Sequence, residues 1–248
     1  MTKPGARLRA DLFLVQNGFA LSRAEAQAAI AAGRVVADGR PVEKPSQTIA
    51  EAANIAYEKA HAYVSRGALK LAAALDRFAL SPQGFVCLDI GASTGGFTQV
   101  LLERGAARVY AVDVGRGQLH GDVAKDARVV AIEGVNAREL SGAHIPERPR
   151  AVVADVSFIG LKLALPAALE LAASGAWLVA LVKPQFEVGR GKVGKGGVVR
   201  DAAARQAALD GFVAWISSVQ GWSVIGHMES PLAGGDGNRE FLVAAGKS

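Results

Sequence analysis

The sequence contains one cysteine, Cys87, and four histidines in 248 residues. A chain with a single thiol cannot form an internal disulfide, so its fold cannot rely on cross-links, as suits a reducing compartment. Cys87 lies in the apolar run 85–88, which favours a buried structural thiol over a nucleophile. No group of His and Cys residues has the spacing of a metal site, and we therefore expect no bound metal.

The sequence also lacks long hydrophobic runs. No stretch approaches the roughly 18 uncharged apolar residues that a membrane-spanning helix needs. The basic segment 1–10 is not followed by the apolar segment and cleavage site of a signal peptide. These absences predict a soluble, cytoplasmic protein that does not enter a membrane. The net charge of +5 suits an acidic partner such as nucleic acid, although many ordinary enzymes carry a similar charge.

Half of the residues are hydrophobic, enough for a sizeable core, and the length suits one small and one medium domain. Near the N-terminus, apolar residues at helical spacing predict a first short helix. These residues are Leu8, Leu12, Val15 and Phe19. Ser22 and Glu25 form the pattern of a capping box, which predicts a second helix over 23–32 that ends at Gly33.

Residues 34–42 carry the strongest hairpin signal of the chain, because Asp38 and Gly39 separate two short β-like runs. A further β-like stretch covers 54–57. This arrangement resembles the RNA-binding domain named after ribosomal protein S-four. The matching runs are 7–11, 22–26, 31–35 and 38–39.

The resemblance implies that this module presents basic residues to structured RNA. Arginine can grip a phosphate with two parallel hydrogen bonds. The RNA-contact candidates in and next to the module are Arg7, Arg9, Arg23, Arg34 and Arg66. Residues 1–66 carry nine Lys/Arg against six Asp/Glu, a net charge of +3, which by itself also fits a solvated basic face. The ordered set of motifs is what favours RNA binding.

From residue 85 onward, apolar strands alternate with amphipathic helices, which predicts a mostly parallel sheet with helices on both faces. The predicted strands cover 85–90, 108–113, 128–132, 151–155, 177–183, 222–229 and 240–245. The predicted helices cover 68–80, 96–104, 160–173 and 201–220. We therefore expect an α/β protein with a small α+β S-four-like domain at 1–60, a linker at 61–67 and a Rossmann-like domain at 68–248.

A glycine-rich turn at 88–98 follows the first strand of this larger domain and opens a helix. Glycines at such a turn let the backbone approach a ligand closely. The turn is not the dinucleotide fingerprint, because the G-x-G-x-x-G spacing is absent and a carboxylate, Asp89, precedes the first glycine. A carboxylate suits a cationic ligand better than a phosphate, and the sulfonium and amino groups of S-adenosylmethionine fit that requirement.

A second carboxylate, Asp113, ends the next strand, 24 residues after Asp89. In nucleotide-binding sheets a carboxylate at this position accepts hydrogen bonds from ribose hydroxyls. Either Asp alone could be a turn or capping residue, but both together favour a nucleoside cofactor. The predicted cofactor-binding residues are Asp89, Gly91, Ala92, Ser93, Gly95, Gly96, Phe97, Asp113 and Asn136.

Charged residues stand out in places where apolar ones are expected. These residues are Lys70, Asp155, Lys183 and Glu240. Asp155 and Lys183 end apolar strands, and open α/β sheets bind ligands outside the carboxyl ends of their strands. Taken singly, such a lysine usually extends to solvent, and such an aspartate often caps the following helix.

In chain order, this Lys-Asp-Lys-Glu set resembles the catalytic tetrad of the FtsJ-like ribose 2′-O-methyltransferases. Over nearly the whole chain the sequence resembles, more closely still, the TlyA family of rRNA methyltransferases, which joins an S-four-type domain to that catalytic fold. The matching runs are 63–71, 89–98, 154–159, 182–187 and 234–240. The departures from the family are Ala68, where members commonly carry glycine, the run 131–138 around Asn136, and 120–126.

The resemblance implies methylation of a ribose 2′-hydroxyl, that of a cytidine, in ribosomal RNA or ribosomal subunits, with S-adenosylmethionine as the methyl donor. We expect Lys183 to contact the 2′-oxygen and to take or relay its proton. Asp155 would then orient Lys183 and the methyl donor. Glu240 would hold Lys70 or Lys183 in place. We expect the protein to act as a monomer.

Residues 183–200 form a glycine-rich, basic segment with five Lys/Arg against one Glu, a net charge of +4. The segment is not a P-loop, because the G-x-x-x-x-G-K-[ST] pattern is absent. We expect a mobile loop beside the active site, in which Arg190, Lys192 and Lys195 contact the RNA backbone. A plain surface loop is the alternative.

Three other functions are considered from the sequence. The first is a non-catalytic RNA-binding or ribosome-assembly factor, against which the complete Lys-Asp-Lys-Glu set argues. The second is a membrane-active haemolysin, a label attached to relatives in this family, which the missing membrane span does not support. The third is a base methyltransferase, but the run 155–158 lacks both prolines of the D/N-P-P-Y/F motif of amino-methylating enzymes.

Overall fold

The computed structural model describes residues 7–20, 22–58, 62–189, 191 and 193–248. The chain divides into two compact units, Met1–Ala62 and Tyr63–Ser248. Residues 63–66, which lie in the predicted linker, group with the second unit. There the backbone amide of Val64 donates a hydrogen bond to Gln99 Oε1 at 2.8 Å. His61 of the predicted linker lies outside the described residues.

The first unit contains two helices and five short strands among its described residues. They are β1 (Arg7–Arg9), α1 (Ala10–Gln16), α2 (Arg23–Ala31), β2 (Val35–Ala37), β3 (Arg40–Pro41), β4 (Thr48–Ala50) and β5 (Ile55–Tyr57). Strands β1 and β4 form an antiparallel pair, and β3, β2 and β5 form a three-stranded sheet in that order. Phe13, Leu14, Ile30, Val35 and Ile49 pack together in its core.

The second helix and the hairpin are confirmed. Ser22 Oγ accepts a hydrogen bond from the Glu25 amide at 3.2 Å, so Ser22 caps α2 as predicted. Between β2 and β3, Asp38 has φ 50° and Gly39 has φ 75°. Two consecutive residues with positive φ are what a tight two-residue hairpin turn requires.

The prediction that helical periodicity includes Leu8 is wrong. Arg7–Arg9 form strand β1, in which Leu8 pairs with Ile49 of β4, and the helix begins only at Ala10. A spacing of four between Leu8 and Leu12 fits one helix or a strand followed by a helix. The pairing with β4, a strand that the sequence pattern did not predict, decides between the two.

The second unit contains a seven-stranded sheet with helices between its strands. Its strands are β6 (Val86–Ile90), β7 (Arg108–Asp113), β8 (Val129–Glu133), β9 (Ala151–Ala154), β10 (Trp177–Val182), β11 (Trp222–Glu229) and β12 (Phe241–Lys247). Its helices are α3 (Gly67–Arg77), α4 (Gly96–Glu103), α5 (Gly121–Ala124), α6 (Leu161–Ala164), α7 (Pro166–Leu171), α8 (Pro184–Glu187) and α9 (Ala202–Ser218). The predicted strands are confirmed to within two residues at each end.

The strand order is β11-β12-β10-β9-β6-β7-β8, and the strands from β10 to β8 are parallel to one another. The chain runs outward from β6 in one direction and from β9 in the other, so the order reverses between these two strands. Such a switch point leaves a crevice at the carboxyl ends of the strands, where open α/β sheets bind ligands. Strand β12 is antiparallel to β10, with Phe241 opposite Val182. The start of β12 therefore lies at the carboxyl edge.

The apolar pattern of the strands reflects burial on both faces of the sheet. Every residue of β9 and β10 is buried. Cys87 lies in this core as predicted, and burial raises the pKa of its thiol to about 12, which keeps it an inert apolar side chain. Within the described parts of the chain, no helix is both long enough and apolar enough to cross a membrane.

The prediction of a single helix over 160–173 is wrong. The segment forms α6 and α7, which meet at Pro166. Proline lacks the amide proton that continues a helix and suits the first position of a new one. The short helices α5 and α8 were not predicted, because four residues are too few to show a helical period.

Candidate active site

A cavity of about 460 Å³ opens at the switch point between β6 and β9. Its polar lining includes Ser93, Asp113, Gln118, Asn136, Asp155 and Ser157. Its apolar walls include Ile90, Val112, Val114, Val135 and Ile159. We call this space the first cavity. A pocket with apolar walls and a few placed polar groups is typical of a small-molecule site.

Gly91 allows the turn after β6 to pack directly against the end of β9. The residue has φ +83°, and a Cβ added there would lie 2.5 Å from the Asp155 carbonyl oxygen. The Asp155 amide donates to the Ile90 carbonyl at 2.9 Å. Any side chain at Gly91 would therefore be strained and would separate two strand ends that form the first cavity.

Asp113 and Asn136, the residues predicted to contact the nucleoside part of a cofactor, both line the first cavity. Asp113 accepts hydrogen bonds from the amides of Ser93 at 2.8 Å and Gly115 at 2.7 Å. Asn136 Oδ1 accepts from the Arg138 amide at 3.1 Å and begins a short 3₁₀ turn. A carboxylate that can accept from ribose hydroxyls, flanked by apolar walls for a purine, fits an adenosyl group.

Asp89, a predicted cofactor-binding residue, lies behind the surface of the first cavity. Its side chain is fully buried within β6, it is not among the residues that line the first cavity, and its Oδ2 accepts a hydrogen bond from Thr98 Oγ1 at 2.6 Å. Burial raises the pKa of this carboxyl group to about 7, and the nearby Asp155 carboxylate adds to the effect. The sequence places a carboxylate next to the turn, but the strand directs it toward α4.

We expect Asp89→Asn to flatten the pH dependence of stability. The folded state keeps the Asp89 proton up to about pH 7, whereas the unfolded chain loses it near the ordinary value of 3.8. The free energy of unfolding should therefore fall as the pH rises between these values, by a few kcal/mol, at about 1.4 kcal/mol per pKa unit. Urea unfolding at pH 5 and pH 8 measures the difference.

The matched control is Asp122→Asn, whose side chain is 85% exposed. Equal pH dependence in the Asp89→Asn variant and the wild type would contradict this assignment.

The four predicted catalytic residues form two ion pairs. Lys183 Nζ lies 2.6 Å from Asp155 Oδ1 and donates a hydrogen bond to Ser157 Oγ at 2.9 Å. Lys70 Nζ, in α3, lies 2.5 Å from Glu240 Oε2 at the start of β12, and both side chains are buried. The start of α3 is near the other pair, because a Cβ at Gly67 would lie 3.5 Å from Asp155 Oδ2.

A second cavity, of about 280 Å³, adjoins the first. Lys183 and Glu240 line it, and the two cavities share Ser157 and Phe158. Phe158 is 93% exposed and has φ 66°, and its ring lies 5.3 Å from that of Phe186, centroid to centroid. A bulky residue held exposed at positive φ is costly, which indicates a function at the mouth of the two cavities.

Other predicted cofactor residues belong to the glycine-rich turn but lie away from the surface of the first cavity. Ala92, Gly95, Gly96 and Phe97 are buried and are not among the residues that line the first cavity. Gly96 lets α4 pack against the first turn of α3, since a Cβ there would lie 3.2 Å from the Ala68 amide nitrogen. Among the described residues, no cluster of three or more His, Cys, Asp or Glu side chains could hold a metal.

The predicted RNA-contact residues of the first unit are held by local partners. Arg9 and Arg23 both bind the buried carboxylate of Asp11, at 3.0 and 2.8 Å, and these hydrogen bonds hold the pKa of Asp11 well below its usual range. Arg7 donates to the carbonyl of Thr48 at 2.8 Å. The side chains of Arg9 and Arg23 are nevertheless about half exposed, which leaves them accessible to RNA.

The other RNA-contact candidates differ in their placement. Arg34 pairs with Glu58 at 2.6 Å on the surface, and Arg66 directly precedes α3. Lys195 is exposed within a short 3₁₀ turn, Lys195–Gly197. Arg190 and Lys192 lie outside the described residues.

Ser157 and Phe158 line both cavities but were not predicted from the sequence as site residues. Both belong to a run that was noted for its resemblance to the family, but a serine and a phenylalanine after a strand carry no signal of their own. Val114, 74% exposed beside Asp113, was missed for the same reason. Its exposure inside the first cavity is visible only in the folded chain.

The fold and the two adjoining cavities define the second unit as an α/β domain of the methyltransferase type. The FtsJ-like methyltransferase model matches residues 63–247, and the S4 domain model matches residues 8–55. The chain belongs to the FtsJ-like methyltransferase family. The fold class and the family resemblance predicted from the sequence are thereby confirmed.

The chain is also similar to named proteins over nearly its whole length. It is 48% identical to the 16S/23S rRNA (cytidine-2′-O)-methyltransferase TlyA of Mycobacterium tuberculosis, over 96% of this chain and 89% of that protein. It is 39% identical to Hemolysin A of Brachyspira hyodysenteriae, over 95% of this chain and 98% of that protein. A solved structure from Streptococcus thermophilus that carries the hemolysin name is 40% identical, with a TM-score of 0.77, and the match covers 98% of this chain and 89% of that one.

Proposed function

We propose that this methyltransferase transfers a methyl group from S-adenosylmethionine to a ribose 2′-hydroxyl of ribosomal RNA, with a cytidine as the target nucleotide. The observation that carries the proposal is the position of the Lys183–Asp155 ion pair. Asp155 lines the first cavity and Lys183 lines the second. The pair therefore spans the boundary between a space that fits an adenosyl group and a space that can admit a nucleotide.

The first cavity supplies the groups that a nucleoside cofactor needs. Asp113 would accept hydrogen bonds from the ribose hydroxyls, and Asn136 would contact the adenosyl group beside the apolar walls. When bound there, S-adenosylmethionine would supply a methyl group on a positively charged sulfur. The carboxylate of Asp155 lines this cavity and would offer a negative charge to the sulfonium group.

Lys183 is the group we assign to the acceptor oxygen. Its amine is held from two sides, by Asp155 at 2.6 Å and by Ser157 at 2.9 Å, so its direction is fixed before a substrate enters. Methyl transfer is an in-line displacement, and alignment of the reacting atoms supplies much of the acceleration. In its neutral amine form, Lys183 would hold the 2′-oxygen in line and take the proton that leaves as the new C–O bond forms, which makes it an ammonium beside Asp155.

The surroundings of the second cavity suit RNA. The exposed ring of Phe158, which packs against the partly buried ring of Phe186, offers a stacking surface for an unstacked base, and recognition of single-stranded RNA commonly uses such rings. The S4 domain provides further arginines for phosphates. The M. tuberculosis relative bears the name of an rRNA (cytidine-2′-O)-methyltransferase, which supports ribosomal RNA and cytidine for this chain.

We expect the purified protein to transfer labelled methyl from S-adenosylmethionine to unmodified ribosomal subunits. Digestion of the RNA to nucleosides, followed by mass analysis, should show 2′-O-methylcytidine, because Lys183 would act on a ribose hydroxyl and the M. tuberculosis relative bears the name of a cytidine-2′-O-methyltransferase. The matched control is Asp113→Ala, which should weaken cofactor binding and lower transfer at limiting S-adenosylmethionine.

Each other result would contradict part of the proposal. A methyl group on the base would show that the protein is a base methyltransferase and would contradict ribose methylation. Cofactor binding without transfer to either subunit would rule out ribosomal subunits as the substrate. Absence of cofactor binding would favour a non-catalytic RNA-binding or assembly factor.

A further inference from the structure

Asn238 is a buried polar side chain to which the chemistry above assigns no role. Only 1% of its surface is exposed. Its Oδ1 accepts a hydrogen bond from the Val199 amide at 2.9 Å, and its Nδ2 donates one to the Gly197 carbonyl at 2.9 Å. The two bonds span 39 and 41 residues of sequence. A buried amide that satisfies two distant backbone groups fixes the segments that it joins.

The two segments joined by Asn238 both line the second cavity. Val193 and Gly197 line this cavity from one segment, and Gly235 and Glu240 line it from the other. Asn238 lies two residues before Glu240, and its own carbonyl accepts from the Gly234 amide at 2.8 Å. Its side chain therefore connects the basic segment to the turn that ends at Glu240.

The segment 193–199 needs such an external partner. Gly196 and Gly197 have φ 79° and 77°, so this stretch continues neither a helix nor a strand. On its other side, Arg205 of α9 donates to the carbonyl of Val199 at 3.1 Å and to that of Arg200 at 2.7 Å. The described part of the basic loop therefore has hydrogen-bond partners on two sides, Asn238 and Arg205.

Lys195 gains its position from this arrangement. It is exposed and lies between Val193 and Gly197, both of which line the second cavity, so it stands at the rim. An ammonium group at the rim of a cavity that admits a ribose lies near the phosphates on either side of that ribose. Phosphate contacts of this kind position RNA without reading its sequence.

We propose that Asn238 is a positioning residue that fixes segment 193–199 at the rim of the second cavity, so that Lys195 contacts a phosphate of the bound RNA. The inference rests on the proposed function for its ligand, RNA. The fixation of segment 193–199 by Asn238 does not depend on that function. Loss of the Asn238 side-chain amide leaves the backbone N–H of Val199 and the backbone carbonyl of Gly197 without their partner. The turn that carries Lys195 is then released.

Amide hydrogen exchange tests the fixation in the full chain without any substrate. Asn238→Ala should speed exchange at the Val199 amide by at least about tenfold, the factor expected for one lost hydrogen bond. Asn238→Asp keeps an acceptor for Val199 but loses the donor to Gly197, so protection of the Val199 amide should largely survive. Unchanged exchange at Val199 in Asn238→Ala would overturn the proposal.

RNA binding tests the role of Lys195. Lys195→Ala and Asn238→Ala should each weaken binding to ribosomal subunits about fivefold and lower the slope of log affinity against log salt by about one phosphate contact. The double variant should be no weaker than Asn238→Ala, because the second change removes a contact already lost. The same variants should raise KM for the subunits and leave kcat within about twofold.

The controls separate this proposal from the proposed function. Arg77→Ala removes one positive charge at the far end of α3 and should leave the salt slope unchanged. Additive losses in the double variant would overturn the link between Asn238 and Lys195. A wild-type protein that binds subunits but transfers no methyl group would overturn the proposed function, and the exchange and binding experiments would still decide the role of Asn238.

Discussion

Lys183→Ala is expected to lower the rate of methyl transfer about a thousandfold, while binding of S-adenosylmethionine changes less than about threefold. The rate falls because the variant loses the amine that aligns the 2′-oxygen and accepts its proton, and a placed general base contributes about 10²–10⁴-fold. Cofactor binding is spared because Lys183 lines the second cavity and is not among the residues that line the first. Single-turnover kinetics with ribosomal subunits measures the rate, and calorimetry measures cofactor binding.

Lys183→Arg separates the two roles given to this residue. A guanidinium keeps the positive charge and can still pair with Asp155, but it does not release a proton at working pH. We expect this variant to be nearly as slow as Lys183→Ala. If Lys183→Arg kept most of the wild-type rate, the residue would act through its charge alone, and the proton-transfer role would be contradicted. Lys162→Ala, in α6, is the control for loss of an ammonium group elsewhere in the unit.

Lys70→Met is expected to destabilise the second unit by about 3–5 kcal/mol. Glu240 is only 2% exposed, and the change leaves its carboxylate buried without the partner that now lies 2.5 Å away. Breaking one side of a buried pair costs far more than breaking an exposed pair. In a unit of this size the expected fall in melting temperature is roughly 10 °C. Thermal unfolding with a probe in the second unit, such as Trp177 or Trp222, measures it.

Two further variants show whether the cost comes from the unpaired charge. The double change Lys70→Met with Glu240→Gln removes both charges and should recover most of the lost stability, yet remain inactive. Arg104→Met breaks the exposed pair with Asp76, which has a similar separation of 2.8 Å, and should cost less than about 1 kcal/mol. If Lys70→Met melted at the wild-type temperature, the buried pair would not contribute to the fold.

The two ion pairs of the site, Lys183–Asp155 and Lys70–Glu240, have different expected roles. The Lys183–Asp155 pair is partly exposed and faces both cavities, so a substrate can reach it. The Lys70–Glu240 pair is buried and joins α3 to the start of β12. Its expected contribution is to hold the start of β12 and the turn before it, including Asn238, in place beside the second cavity.

The sequence by itself determined the elements whose signals are local. The N-cap at Ser22 and the two-residue turn at Asp38 and Gly39 depend on neighbours within a few residues, and the structure confirms both. The buried strands were predicted for the same reason, because burial on both faces demands an apolar run. Where a local signal fits two structures, as for Leu8, or where a proline interrupts a pattern, as at Pro166, prediction from sequence was wrong.

Only the tertiary structure decided how the charged residues combine. From the sequence, Glu240 could serve Lys70 or Lys183. The antiparallel course of β12 brings Glu240, the residue directly before this strand, to the carboxyl edge, where it pairs with Lys70. The sequence places Asp89 beside the glycine-rich turn, but only the structure shows that its Oδ2 accepts a hydrogen bond from Thr98. The Asn238 bonds and the shared mouth at Phe158 join segments far apart in the chain. Such contacts depend on strand order and direction, and no periodicity within one segment records them.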